Sequence, residues 1–206
     1  NGRHGNLMKS AKLAFGLICL AILASNIWSM SRWSEARGVY DDICYLRQAH
    51  LFQRFGLDGL NTDAARDDDR YFEGRMKAIA FAEWNEVSRW PCHNPMPNGK
   101  IVIQYPPGTG FLLALFPQGH QVVPLYIAAN VILCGLALSG IFLARTPSST
   151  IGAGVFGGLA VLLMINPVKA SYSVAPTMAL CAVAGFLTAL WLSRDKRSVL
   201  LIALIG

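Results

Sequence analysis

The stretch that decides the fold is LAFGLICLAILASNIWSM, residues 13–30, an apolar run without a charged side chain. A membrane-spanning helix needs about 20 such residues, whereas the apolar core of a cleaved signal peptide usually has about 7–15. We therefore interpret the run as an uncleaved span, with a signal peptide as the alternative. Arg3, Lys9 and Lys12 precede it and predict a cytoplasmic N-terminus, because cationic flanks stay inside.

Further apolar runs lie at residues 121–144, 151–166, 174–193 and 199–206. The last is too short for a hydrocarbon core about 30 Å thick, so we expect a truncated fifth span in a chain that continues. The predicted fold class is an all-α polytopic membrane protein with four to five transmembrane helices and a large outside loop. We expect the cytoplasmic N-terminus and first span in residues 1–30, the extracytoplasmic loop in 31–110, and the other spans in 111–206.

The composition points the same way. The chain is 53% hydrophobic and 15% charged with a net charge of +6, and its mean hydropathy is +0.39. A soluble domain has about 25% charged residues. Residues 31–105 are close to neutral, and the positive excess lies in short segments such as residues 194–197. This distribution predicts a multi-pass orientation and no nucleic-acid partner.

The outside loop carries two helical patterns. One covers residues 42–55, opens with acidic residues and is followed by Gly56 as the expected C-terminal cap. The other covers residues 68–90 and is led by the acidic triplet 67–69, which we interpret as a solvated helix start, with a metal cluster as the alternative. Both helices are amphipathic and suited to a membrane surface. A loop at 91–99 and a short extended run at 100–105 follow.

Two cysteines, Cys44 and Cys92, lie in the outside loop. Disulfides persist in extracytoplasmic compartments, so we expect these two to pair. A zinc site made of Cys44, Cys92 and His93 is the alternative, disfavoured because there is no second close-spaced pair of ligands.

Glycines are frequent in the third apolar run. Small residues let helices approach closely in a membrane, and we expect this role for Gly152, Gly154, Gly157 and Gly158. A phosphate-binding glycine loop is the alternative, but the Lys-Ser/Thr that completes such a loop does not follow.

Two short motifs flank the outside loop. The first is YDDICYLRQAH at residues 40–50, and the second is YPPGTGFLLALFP at 105–117. The order of the first span, these motifs and the outside loop resembles the N-terminal module of GT-C class membrane glycosyltransferases. The resemblance covers roughly residues 10–195. The bacterial branch with protein O-mannosyltransferases and lipid A aminoarabinose transferases is the most similar. That branch has an Asp-Glu-x-x-Tyr pattern after the first span and Tyr-Pro-Pro-x-x-x-x-Leu-Leu before the next membrane segment.

The resemblance implies sugar transfer from a polyprenyl-phosphate-linked donor at the outer face of the bacterial inner membrane. It implies Asp41 as catalytic base or acceptor-orienting residue, with Asp42 beside it. Asp42 stands where Glu is usual, and residues 174–177 lack the acidic residue that many relatives have. Some branches of the class hold a divalent metal at such a carboxylate and others need none, so the cofactor stays open.

The chemistry needs a base for the acceptor hydroxyl and positive charge for the departing phosphate. The candidate catalytic residues are Asp41 and Asp42. The candidate substrate-binding residues are Arg37, Tyr45, Arg47, Tyr105 and Lys169. Expected partners are the lipid-linked donor, membrane lipids and further subunits. A non-catalytic membrane subunit is the alternative function; a transporter is disfavoured because the apolar runs contain no acidic residue.

Overall fold

A computed structural model describes residues 2–33, 40–164 and 171–192, and the side chains of 5–33, 42–164 and 171–192. This part of the chain is mostly helical. Its helices are α1 Gly2–Met30, α2 Tyr40–Phe55, α3 Tyr71–Ala78, α4 Gly108–Leu113, α5 Val122–Leu143, α6 Pro147–Leu163 and α7 Val174–Leu192. Strands β1 His93–Pro95 and β2 Ile101–Ile103 form an antiparallel hairpin in which His93 pairs with Ile103.

The chain divides into two compact units. The apolar unit comprises residues 1–32, 126–166 and 174–206, and the polar unit comprises residues 33–125 and 167–173. The apolar unit holds α1, α6, α7 and most of α5. The polar unit holds α2, α3, α4 and the hairpin. Residues 171–173 therefore fold with residues that precede them by more than forty positions.

Three helices are long and apolar enough to cross a membrane, as expected of an all-α membrane protein: Gly5–Met30 within α1, Val122–Leu143 and Val174–Leu192. The predicted count of four to five spans is not confirmed. Helix α6 has 17 residues, which at 1.5 Å per residue is about 25 Å, short of a core about 30 Å thick. The predicted stub at 199–206 lies outside the described residues.

Four glycines of α6 were predicted to allow close helix packing, and two of them do so. A Cβ built at Gly154 would overlap the ring of Phe15, and one at Gly157 would lie 2.7 Å from the Cβ of Ala137. The Phe15 ring of α1 and Ala137 of α5 approach the α6 backbone at these points because the glycines carry no side chain. The other two glycines have open space at this position: Gly152 and Gly158.

Two buried asparagines join the helices of the apolar unit. Asn26 Nδ2 donates to Asn130 Oδ1 at 2.8 Å and to the carbonyl of Val161 at 2.7 Å. Asn130 Nδ2 donates to the carbonyl of Tyr126 at 2.9 Å and is 3.4 Å from that of Met164. The last carbonyls of a helix have no partner within it, so these amides stabilise the buried end of α6.

Helix α2 confirms the first helical pattern of the polar unit. It ends at Phe55, and Gly56 follows with φ +59°, the left-handed conformation that glycine adopts without strain. Local signals suffice here because the cap is a glycine at the expected place.

The second helical pattern was wrong in length, because α3 ends at Ala78 rather than near residue 90. Ala80 takes φ +55°, the N–H of Phe81 bonds to the carbonyl of Met76 at 2.9 Å, and that of Ala80 bonds to Lys77 at 3.0 Å. This is a Schellman cap. An alanine in the left-handed position gave no sequence signal, so the periodicity of the following apolar residues extended the predicted helix too far.

The predicted loop at 91–99 also needs correction, since it contains β1 and the turn of the hairpin. The predicted extended run at 100–105 contains β2, as expected. The core of the polar unit is built from buried residues of α2, α3, β2 and the segments between them: Ile43, Cys44, Ala64, Phe72, Met76, Trp90 and Ile103.

Candidate functional site

The candidate site begins in the first turn of α2, where Asp42 is 2% exposed. Its Oδ1 accepts a 2.9 Å hydrogen bond from the backbone N–H of Tyr172. A buried carboxylate is costly unless hydrogen bonds satisfy it, so this contact fixes the first turn of α2 against Tyr172. The Tyr172 ring packs edge-on against Trp33, with centroids 6.0 Å apart. Asp42 is thus held by residues remote in the chain.

Three of the predicted site side chains lie outside the described residues. The backbone of Asp41 belongs to α2, but its side chain is among those not described. Arg37 and Lys169 fall in the segments 34–39 and 165–170. Their roles therefore stay predictions.

The structure brings the two sequence motifs together at a pair of tyrosines. Tyr45 and Tyr105 stack with ring centroids 5.2 Å apart and an interplanar angle of 23°. Gln48, one turn further along α2, donates from Nε2 to the carbonyl of Tyr105 at 2.9 Å. Tyr45 is 8% exposed, whereas Tyr105 is only partly buried. Of the two predicted substrate-binding tyrosines, Tyr105 is therefore the more accessible.

Helix α4 follows the Pro106-Pro107 pair and packs closely on α2. A Cβ at Gly110 would overlap the Cβ of Gln48, so only glycine allows this approach. Gln53 Nε2 donates to the carbonyls of Ala114 at 3.1 Å and Phe116 at 2.6 Å, just beyond the C-terminus of α4. The second motif is thus anchored on α2 by two glutamine side chains.

Arg47 lies at the centre of the polar unit and is 0% exposed. Its Nη1 donates to the carbonyl of Thr62 at 2.8 Å and to His93 Nε2 at 3.0 Å. Its Nη2 donates to the carbonyl of Asp63 at 2.8 Å, and Nε lies 3.9 Å from Asp67 Oδ1. All of these partners of the guanidinium are residues of the chain itself. The geometry favours a structural role, and we leave Arg47 out of the proposed phosphate site.

The bond from Arg47 sets the tautomer of His93. A guanidinium can only donate, so Nε2 accepts and the proton of the neutral ring is on Nδ1, which donates to the carbonyl of Pro91 at 2.7 Å. Burial and the charge of Arg47 lower the pKa of His93 to about 4. Burial lowers the pKa of Arg47 to about 10, opposed by the charge of Asp67. At neutral pH the pair is a charged donor facing an uncharged acceptor.

The predicted disulfide between Cys44 and Cys92 is present, with the two Cα atoms 6.6 Å apart. It joins α2 to the residue before β1, and Cys92 takes the left-handed φ of +55°. The sulfurs and a ring nitrogen of His93 lie within 4.8 Å of one another, which is the zinc alternative. Both ring nitrogens of His93 already have hydrogen-bond partners, and bonded sulfurs are not thiolate ligands. The structure therefore favours the disulfide.

The acidic triplet serves the helix start and ion pairs. Asp67 accepts from the backbone N–H groups of Phe72 and Glu73 at 2.9 and 3.3 Å. Asp68 makes a bidentate pair with Arg54, and the hydrogen bond from Arg54 lowers the pKa of Asp68. Among the described residues, the one group of three potential metal ligands is Cys44, Cys92 and His93.

Two residues of the site were missed by sequence reasoning. Tyr172 stands in a short segment between two apolar runs and had no motif around it. Gln48 was quoted within the first motif, but nothing in its neighbourhood indicated a bond to Tyr105, 57 positions away. Both roles depend on long-range contacts that a single sequence does not display.

No protein-family model, curated protein or solved structure matches this chain. The resemblance to GT-C glycosyltransferases therefore remains a prediction from the two motifs.

Proposed function

We propose that this chain belongs to a membrane glycosyltransferase that moves a sugar from a polyprenyl-phosphate-linked donor to an acceptor hydroxyl at the outer membrane face. One observation carries the proposal. The acidic first turn of α2 and the Tyr-Pro-Pro motif share one place in the polar unit, joined by the Tyr45–Tyr105 stack and the bond from Gln48 to Tyr105. This juxtaposition supports a common site for the two motifs.

The proposed reaction is a displacement at the anomeric carbon. The acceptor oxygen forms a bond to that carbon, the carbon–oxygen bond to the phosphate breaks, and polyprenyl phosphate leaves with the bonding electrons. Asp41 takes the proton of the acceptor hydroxyl, a step that contributes about 10²–10⁴-fold. Asp42, tied to the N–H of Tyr172, holds the turn that carries Asp41. Arg37 and Lys169 are the proposed cations for the departing phosphate.

The partly exposed ring of Tyr105 is proposed to pack against the sugar. Tyr45 stacks behind it and keeps its plane in place. In this arrangement loss of the Tyr105 ring weakens substrate binding, while loss of Tyr45 acts through the position of Tyr105.

The proposed reaction assigns no role to a divalent metal. Within the described residues, Asp42 is not part of any group of three potential metal ligands. Assays with and without added Mg²⁺ or Mn²⁺ test this point directly.

The test is the release of polyprenyl phosphate by the full native protein in proteoliposomes. The probes are polyprenyl-phosphate mannose and polyprenyl-phosphate glucose, with a membrane extract as the source of acceptor. Asp41→Asn is expected to lower release at least about 100-fold. The control is Asp58→Asn, an exposed carboxylate in another part of the polar unit, which should retain full activity. Full activity of Asp41→Asn would rule out this residue as the base.

A non-catalytic membrane subunit is the second candidate. It is favoured by the burial of Asp42 and Arg47, whose polar atoms make contacts within the chain. In that case the native protein would release no polyprenyl phosphate from either probe and would co-purify with a stoichiometric partner, and Asp41→Asn would not change that association.

A further inference from the structure

The exposed apolar side chains of the polar unit are concentrated on one surface. Six large apolar residues in its described part are strongly exposed, and four of them gather around the end of α2 and α4: Leu57 at 74%, Leu60 at 57%, Phe111 at 47% and Leu115 at 66%. Single exposed apolar residues are ordinary, but a contiguous patch marks a contact surface. The other two, Val87 and Met96, belong to different segments.

A preformed groove runs through this surface. It has a volume of about 320 Å³ and is lined mainly by Phe52, Leu57, Phe111 and Leu115. Phe52 and Phe111 pack edge-on, with centroids 5.6 Å apart, and the bonds of Gln53 to the end of α4 hold the two walls together. The groove is open and its lining is mainly apolar, which suits a hydrocarbon chain.

A cation lies at the rim. A second open cleft shares Leu57 and is lined also by Leu60, Asp58 and Arg66. The guanidinium of Arg66 sits 3.9 Å above the ring of Phe55, and its Nη1 donates to the backbone carbonyl of Asp58 at 2.5 Å. In the described part of the chain no carboxylate forms an ion pair with Arg66. Arg66 therefore places a positive charge beside the apolar groove, bonded there only to the Phe55 ring and to backbone carbonyls among the described residues.

This surface is only a short distance along the chain from a candidate membrane span. Leu115 precedes Val122, the first residue of a helix long and apolar enough to span, by seven positions. Seven extended residues reach at most about 25 Å. An apolar surface with an arginine at its rim is the pattern of segments that bind at the headgroup–acyl boundary, where arginine keeps its charge among the phosphates.

We propose that Leu57, Leu60, Phe111 and Leu115, with Arg66 at the rim, form a lipid patch that inserts into an anionic phospholipid layer. An acyl chain occupies the groove, and the headgroup phosphate contacts Arg66. This inference rests on exposure, shape and charge, and is independent of the proposed transfer reaction.

The depth of Leu57 in the bilayer tests the apolar part. A nitroxide is attached at Leu57→Cys or at the control Met96→Cys in the full chain, with Cys19, Cys134 and Cys181 replaced by serine and the disulfide retained. In phosphatidylglycerol-containing vesicles, the Leu57 label should be relaxed several-fold more by oxygen than by a water-soluble nickel chelate, and the Met96 label should show the reverse. Equal nickel access at both positions overturns the proposal, as does shielding of the Leu57 label from both reagents, which indicates protein cover.

The headgroup contact is tested separately with charge variants. The Leu57 label should be more protected from the nickel chelate in phosphatidylglycerol than in phosphatidylcholine vesicles, and Arg66→Gln should abolish that difference. Arg89→Gln is the matched control, because Arg89 is exposed and already paired with Glu83 and Glu86, and it should retain the difference. If Arg66→Gln also retains it, the assignment of the phosphate to Arg66 is wrong.

Discussion

Arg47 Nη1 lies 3.0 Å from His93 Nε2, and in this hydrogen bond the histidine is an acceptor, uncharged at neutral pH, in the core of the polar unit. It joins α2 to β1, next to the disulfide between the same two segments. Phe72 and Trp90 enclose the pair, with their rings 5.6 and 5.9 Å from the guanidinium carbon. A buried charge with hydrogen-bond partners on three other residues is therefore a structural centre of this unit.

The stability of the polar unit should fall on acidification before the carboxylates titrate. The pKa of His93 is lowered to about 4 by burial and by Arg47, against about 6.5 in an unfolded chain. Between these values the unfolded state binds a proton that the folded state does not, so stability is complete above about pH 6.5 and is lost toward pH 4. The total is about 3 kcal/mol.

Melting followed by circular dichroism, from neutral pH down to about pH 4, measures this loss. His93→Gln keeps a neutral acceptor for Arg47 and should flatten the pH dependence in this window. His120→Gln, at an exposed histidine, should leave it unchanged. An unaltered slope in His93→Gln would contradict the assigned titration.

The disulfide should be a major source of stability. The bond closes a loop with a sequence separation of 48, for which the chain-entropy relation gives about 4 kcal/mol. We expect the double variant Cys44→Ser/Cys92→Ser to melt well below the parent protein, and reductant to lower the melting temperature of the parent alone. Alkylation and mass mapping without reductant should find Cys44 and Cys92 both blocked; free thiols at both positions would disprove the pairing.

Two glycines of α6 should respond oppositely to alanine. At Gly154 the new methyl group overlaps the Phe15 ring, so Gly154→Ala should cost about 1–3 kcal/mol through overpacking. At Gly152 nothing lies within 4 Å, and alanine should be neutral or stabilising by up to about 1 kcal/mol through helix propensity. Melting in detergent compares the two. Equal effects would mean that α1 and α6 do not meet at Gly154.

The Asn26 amide should contribute modestly to the apolar unit. Asn26→Leu removes its bonds to Asn130 Oδ1 and the Val161 carbonyl, and interhelical hydrogen bonds in membranes are worth about 0.6 kcal/mol on average and at most about 1.7. We expect a loss of about 1 kcal/mol. Ser139→Ala removes a bond confined to α5 and should cost less. A larger loss in the serine variant would argue against the Asn26 network.

The predicted and observed elements agree where the signals are local. The apolar runs at 13–30, 121–144 and 174–193 became three helices of spanning length, because each window of about 20 residues carries its own hydrophobic signal. Gly56 ends α2 as predicted. Helix α3 stopped early because Ala80 adopts a conformation that is normally taken by glycine, which local reasoning does not anticipate.

The candidate site likewise combines features visible in the local sequence with contacts that are not. The two motifs were visible as residue patterns, but the stack of Tyr45 on Tyr105 was not. Arg47 resembled a phosphate ligand in the sequence, and its complete burial against His93 and two carbonyls changed that interpretation. From the sequence alone, a charged residue near an acidic pair looks the same whether its side chain faces solvent or the core.

By itself, the sequence determined that this is a helical chain with long apolar segments, a charged intervening loop and a well-marked α2. These properties follow from composition and from signals within one or a few turns. Only the tertiary structure decided that Asp42 is held by the N–H of Tyr172, 130 positions away, and that Arg47 pairs with His93, 46 positions away. The physical reason is that burial and hydrogen-bond partners depend on which distant segments pack together.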